Sequence, residues 1–264
     1  MKNILEEIKD LKVYIVSWVW SFLIITFTIF IVGFTKAEIL GHHLYLPIIS
    51  QHSIAVMIFE MIKNNLVPEG VNLIATNPSS AFVSQTIIAI IGAFIITFPY
   101  LLYRVFEFLS PALYKKEKRT IMKILLPSFI LFWGGIVFSF YFLIPPTFKV
   151  LYSFNSLLGV TPFFAVSEFI SWTLSIMFVT GIMFLLPIFM YILSWIGIIS
   201  RDLWFKNWKI ALAVFLIVSA IITPDGSGVT MLILFCPMMV FYIIGAWSCR
   251  KTKINLIENN NIYA

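Results

Sequence analysis

Thr97–Arg119, TFPYLLYRVFEFLSPALYKKEKR, is the stretch on which the fold turns. Its first half continues an apolar run and passes through Pro99. Its second half ends in the bases Lys115, Lys116, Lys118 and Arg119, with one acid, Glu117, set among them. A change from apolar to basic marks where a membrane helix leaves the bilayer on the cytoplasmic side. Composition agrees, since hydrophobic residues make up 61% of the chain and charged residues 11%, roughly half the charged share of a soluble domain. A soluble core needs no such surplus, so the chain reads as an all-α polytopic membrane protein. The net charge of +6 points to orientation in the membrane rather than to nucleic acid.

Outward from that stretch, apolar segments near the roughly 20 residues that a bilayer requires recur along the chain. Six transmembrane helices are expected, at about 13–34, 81–103, 124–144, 168–199, 208–222 and 229–247. The fifth and sixth are expected to be short. The fourth exceeds one span and contains Pro187, so a kink or tilt is expected there. Pro99, Pro127 and Pro237 fall inside other spans. Either the bundle has ordinary kinks, or it forms a curved, concave wall with a thinned side at the fifth helix. The first apolar run is too long for a signal-peptide core and has no small-x-small cleavage site, so it is expected to be retained.

Basic residues alternate between the two sides. Lys2, Lys9 and Lys12 precede the first span, and Arg104 to Lys123 follow the second. Arg201, Lys206 and Lys209 follow the fourth, and Arg250, Lys251 and Lys253 the sixth. The other loops hold only Lys36, Lys63 and Lys149. Both termini are therefore expected in the cytoplasm of a cell-membrane protein. In the first outside loop, SIAVMIFEMI (53–62) is apolar on most sides but too short to span, which predicts a surface or capping helix. The second outside loop is expected to contain Pro145, Pro146 and Pro162 and a short helix in FKVLYSFNSLLGV. TPDGSG, before the sixth span, reads as a tight turn. No repeat is evident, and residues 1–264 read as a single domain.

Several function classes are disfavoured by what the spans contain. Proton-coupled permeases normally hold a buried charge near the midplane, but here the intramembrane polar groups, such as Gln85, Ser139, Ser171, Thr173, Ser175, Thr180 and Ser219, are uncharged. Gly226-Ser227-Gly228 resembles a serine-hydrolase element only superficially. His42, His43 and His52 all lie in the first outside loop, so no histidine in a span can activate Ser227. No phosphate-binding glycine loop occurs. Cys236 and Cys249 lack metal-ligand spacing, and no cofactor, metal site or enzymatic chemistry is expected. Glu7 and Glu117 each sit in a basic juxtamembrane segment. They either balance local charge or recognise a cationic partner, and arginine is the partner best matched to a carboxylate.

The motifs together resemble the TatC family, the core receptor of the twin-arginine protein translocase. FPYLLYRVFEFLSPALYKKEKR is similar to the family's Pro, Tyr, aromatic and S/A-P-A-L-Y-x-x-E-[RK]-[RK] pattern. PEGVNLIATNPSSAF resembles the end of its first outer loop, and the segment from SWIGIIS to TPDG resembles its region from the fourth to the sixth helix. The resemblance implies binding of twin-arginine signal peptides of folded precursors by Glu117, with Leu113 and Tyr114 in the same motif. It implies a second acid at Glu7 in ILEEIKDL, beside Lys9. In that N-terminal pattern Ile4 stands for the family's His, Lys9 for its first Arg and Leu11 for its second. It further implies no enzymatic activity, self-association, transport driven by the protonmotive force, and single-span TatA-type and TatB-type partners near Thr223 and Thr230. Thr230 takes the place of a frequent Gln. Two other departures are Leu185, where many relatives carry an intramembrane Glu before Pro, and Ser80, where many carry an acid before the second helix. A small-solute permease and a structural membrane scaffold are the alternatives.

Overall fold

Backbone inside lipid can hydrogen-bond only to itself, and the described residues accordingly fold almost wholly as helix. The computed structural model describes residues 19–28, 54–67, 71–109, 118–157, 163–195, 197–223 and 228–249. In order these are α1 (Val19–Thr28), α2 (Ile54–Leu66), β1 (Asn72–Ile74), α3 (Ser80–Leu109) and α4 (Lys118–Phe138). A π-helical turn (Ser139–Leu143) leads to α5 (Ile144–Leu157). Then come β2 (Phe163–Ala165), α6 (Val166–Met183), α7 (Leu186–Trp195), α8 (Arg201–Lys206), α9 (Trp208–Ile222) and α10 (Val229–Ser248). Among the described residues four stretches are long and apolar enough to cross a membrane: Ser80–Arg104, Ile124–Phe154, Val166–Trp195 and Val229–Ser248. The protein is a multi-pass membrane protein. Of the two spans expected to be short, α9 has 15 residues, whereas α10 has 20 and is long enough to cross. The first expected span is described only over α1.

The chain forms two compact units, Met1–Leu126 with Phe163–Ser175, and Pro127–Pro162 with Ile176–Ala264. In the first unit, α2 packs on α3 through the buried Ala55, Ile62 and Leu66. This is the capping helix expected at 53–62. Phe22 of α1 meets Phe94 of α3 edge-on, with centroids 5.7 Å apart. β1 and β2 pair in parallel, Leu73 opposite Phe164. No strand is expected from the sequence at either place, because three-residue strands carry almost no periodic signal.

Ser80 opens α3 from a local turn. The Asn77 N–H donates to Ser80 Oγ at 3.0 Å, and Pro78 follows Asn77. The Ser80 N–H returns a bond to the Asn77 carbonyl at 3.0 Å, closing a turn that leads into the helix.

In the second unit the third span does not end at Ile144. Residues 124–154 are one apolar helical stretch, and Pro145 and Pro146 lie inside it rather than in a loop. The reason is local. Proline has no N–H, and its ring clashes with the carbonyl four residues back. Just before the proline pair the helix widens into a π turn, where the Ile144 N–H donates to the Ser139 carbonyl. A π turn relaxes the ladder at the point where an α-helix would fail.

The expected irregularity at Pro187 is a break between α6 and α7. The Leu185 carbonyl accepts from both Ile188 N–H (2.9 Å) and Phe189 N–H (3.1 Å) across it. Leu185 has no exposed surface. α7 ends before Ile199 because Gly197, at φ +87°, reverses the chain while the Ile198 N–H donates to the Leu193 carbonyl at 3.0 Å. That is a glycine-terminated helix end, open to few other residues.

Close packing here depends on small residues, as is usual between membrane helices. A Cβ on Gly135 of α4 would lie 2.9 Å from Gly181 Cα, Phe184 Cγ and the Thr180 carbonyl oxygen, whereas a Cβ on Gly134 meets nothing within 4 Å. Gly135→Ala is therefore expected to destabilise the protein by about 1–3 kcal/mol through overpacking. Gly134→Ala is expected to be neutral or slightly stabilising, since Ala is the better helix former. Thermal unfolding of the two variants in one detergent checks this pair, and equal melting temperatures would refute it.

Hydroxyls in the helices mostly bond back to their own helix. Thr97 donates to the Ala93 carbonyl (2.6 Å), Thr147 to Leu143 (2.7 Å) and Ser171 to Ser167 (2.7 Å). Such bonds let polar residues sit in lipid without a second helix. Just past α10, the Cys249 thiol donates to the Met190 carbonyl at 3.4 Å. Burial pushes its pKa up, with the Ser194 hydroxyl and Arg201 pulling the other way. The thiolate is the reactive form, so a raised pKa lowers reactivity at any given pH. Maleimide labelling of Cys249 is expected to rise only at more alkaline pH than for a free thiol. Arg201→Gln should move the profile further up. Labelling at the free-thiol rate would contradict the buried placement.

Candidate functional site

Glu7, Lys9, Leu113, Tyr114 and Glu117 lie outside the described residues. The described part of the candidate site is the α9–α10 hairpin with the elements that support it. α9 follows α8 almost directly because Asn207 ends one helix and begins the next, its carbonyl accepting from Ile210 N–H (3.0 Å) and Ala211 N–H (3.2 Å). α10 packs against α7, α8 and α9. Its Gly245 lies so close to α7 that a Cβ would be 2.9 Å from Pro187 Cα.

Thr223 and Thr230 stand at facing ends of the hairpin, the first just past α9 and the second at the start of α10. Both are buried. The Thr223 hydroxyl donates to the Ser219 carbonyl at 2.8 Å, and Ser219 Oγ lies 3.7 Å from Met238 Sδ across the hairpin. The Ser219–Met238 contact joins α9 to α10 from inside. Outward, α9 shows a different surface. Ile210, Val214, Ile217 and Ile221 are all exposed, and their spacing of four, three and four puts them on one stripe. Phe215 and Ser219 are buried on the other side.

A cavity of about 510 Å³ opens beside this stripe. Leu186, Met190 and Leu193 of α7, Trp204 of α8, Val214 of α9 and Tyr242 of α10 are among its lining residues. Tyr242 braces it, for its hydroxyl donates to the Trp204 carbonyl at 2.6 Å and its ring meets Phe215 edge-on at 5.7 Å. Arg201 lies over the rings of Phe205 and Trp247 at 5.5 and 5.9 Å. With the nearby Lys206 and Lys209, it gives one end of this region a basic, aromatic character suited to a membrane interface. The lining is apolar and holds no nucleophile–base pair. Among the described residues no three of His, Cys, Asp and Glu come together as a metal-binding group. What the arrangement can do is hold an apolar segment. The cavity is not legible from the sequence because it is assembled from five helices, α6 to α10, although the α9 stripe could have been found from its helical spacing.

The TatC family model, described as Sec-independent protein translocase protein (TatC), matches residues 6–237. The chain belongs to the TatC family. It is 35% identical to the Sec-independent protein translocase protein TatC of Cenarchaeum symbiosum, over 86% of this chain and 87% of that one. It is 32% identical to the protein of the same description from Haemophilus influenzae, over 74% and 77%. A crystal structure described as the twin arginine translocase receptor TatC in DDM superposes with a TM-score of 0.71 at 27% identity, covering 92% of this chain and 99% of that one. This TatC is thus a component of the Sec-independent protein translocase, a transport subunit that works with other Tat subunits.

Proposed function

We propose that this TatC is the signal-recognising subunit of its translocase. Glu117, with Glu7, accepts the paired arginines of a precursor's signal peptide, and Lys9, Leu113 and Tyr114 shape the surroundings of the two acids. Family membership is the observation that carries this reading, since the acid of the family's A-L-Y-x-x-E pattern falls on Glu117. A carboxylate suits the task because the guanidinium fork engages both of its oxygens at once.

The signal's apolar part then lies along the concave wall of a single six-helix domain whose termini are both cytoplasmic. TatA-type and TatB-type single-span subunits gather at the short α9, near Thr223 and Thr230, and copies of this chain self-associate in the receptor complex. The exposed stripe of Ile210, Val214, Ile217 and Ile221 and the cavity beside it support that reading, as an apolar helix needs such a surface to pack on. Transport of the folded precursor draws on the protonmotive force. Purified protein in nanodiscs should bind a twin-arginine signal peptide at least tenfold more tightly than its twin-lysine variant. Equal binding of the two would overturn the proposal.

A further inference from the structure

The first unit holds a second cavity, unconnected with signal recognition. It lies between α2 and the first turns of α3 and has a volume of about 610 Å³. Val56 and Phe59 of α2 and Ile88 of α3 give it apolar walls, and Glu60 and Lys63 of α2 and Gln85 of α3 give it polar ones. Three features distinguish it from an ordinary packing gap. Gln85 Oε1 is buried with no hydrogen-bond partner, which is costly for an amide. Glu60 and Lys63, both exposed, stand one turn apart, close enough to act on one ligand, and no ion pair joins them. The two helices that line the cavity also carry exposed apolar side chains, Met57 and Met61 on α2 and Phe82 and Val83 on α3. The stretch of α3 that is long and apolar enough to cross a membrane begins at Ser80, so the cavity adjoins the start of an apolar span.

We propose that this cavity binds the headgroup of an ethanolamine phospholipid. Glu60 and the Gln85 amide oxygen accept from the ammonium N–H groups, and Lys63 takes the phosphate. The upper part of the acyl chains lies against Val56, Phe59 and Ile88. Charge selects the class, since a purely anionic lipid would set like charge against Glu60. A choline lipid keeps the positive charge but has no N–H to donate to Glu60 or Gln85. The apolar walls favour a lipid over a free zwitterion.

The test is native mass spectrometry of the delipidated full chain, offered phosphatidylethanolamine, phosphatidylcholine and phosphatidylglycerol with the same acyl chains. Phosphatidylethanolamine should be retained about tenfold over phosphatidylglycerol and severalfold over phosphatidylcholine. Glu60→Gln should abolish the preference over phosphatidylglycerol, and Gln85→Leu should weaken retention about fivefold. Because Glu60 and Lys63 are exposed, Glu60→Gln and Lys63→Gln leave the fold intact and keep the test decisive even if Gln85→Leu misfolds. Equal retention of the three lipids, or an unchanged preference in both charge variants, would overturn the proposal. So would displacement of the lipid by an equal concentration of soluble glycerophosphoethanolamine, which would show that the chains contribute nothing.

Discussion

Glu117→Ala is expected to lower affinity for a twin-arginine signal peptide by at least about 30-fold and to stop transport, leaving the protein folded and in the membrane. Removing one partner of a hydrogen-bonded charge pair costs about 2–5 kcal/mol, because the arginine is left without its acceptor. Each 1.4 kcal/mol is about tenfold in affinity. Glu117→Gln keeps the shape but not the charge and should fall nearly as far. Glu7→Ala should lose less, since Ile4, Lys9 and Leu11 replace three residues of the family's N-terminal pattern. Added salt should weaken wild-type binding, as exposed charges are screened over about 10 Å at 0.1 M. Peptide titration into nanodiscs measures all of these. Unchanged affinity in Glu117→Ala would mean that the arginines are recognised elsewhere.

Lengthening α9 by about seven residues is expected to abolish most transport while signal binding survives. α9 has 15 residues, which at 1.5 Å each make about 22 Å against a hydrocarbon core of about 30 Å. A mismatch of about 8 Å, at a fraction of a kcal/mol per Å, strains the bilayer by on the order of a few kcal/mol. We infer that this thinned side is where partner spans collect and transport begins. Seven residues are close to two helical turns, drifting only about 20°. The insertion therefore removes the mismatch while keeping the stripe of Ile210, Val214, Ile217 and Ile221 nearly in phase. Vesicle transport assays and peptide binding on the same variant separate the two effects. Full transport by the lengthened protein would remove bilayer thinning from the mechanism.

How far the sequence reveals the molecule depends on which force shapes each part. Lipid imposes a strict rule on the backbone, so the helices at 80–104, 166–195, 208–222 and 229–248 lie within a few residues of where apolar runs place them. The break at Pro187 and the capping helix α2 are legible for similarly local reasons. The proline pair 145–146 misleads, because two prolines look like a loop until the π turn before them is known. β1 and β2 join residues about ninety positions apart, and nothing in either triplet names its partner. Gly135 and Gly134 are adjacent and identical in type, yet only Gly135 lies against Gly181; that difference exists only in packing. The candidate site divides in the same way. Glu117 is legible because its motif is contiguous in sequence, whereas the cavity around Trp204 and Tyr242 arises only when five separate helices meet.

The central claim is arginine recognition at Glu117, and photocrosslinking from the signal peptide tests it most directly. The peptide carries a photoreactive residue beside its arginine pair, and the adducts on the purified protein are mapped by mass spectrometry. Recognition at Glu117 predicts adducts within residues 113–117 that are strong for the twin-arginine peptide, faint for its twin-lysine variant and lost in Glu117→Ala. Adducts of equal strength from both peptides, persisting in Glu117→Ala, would contradict it.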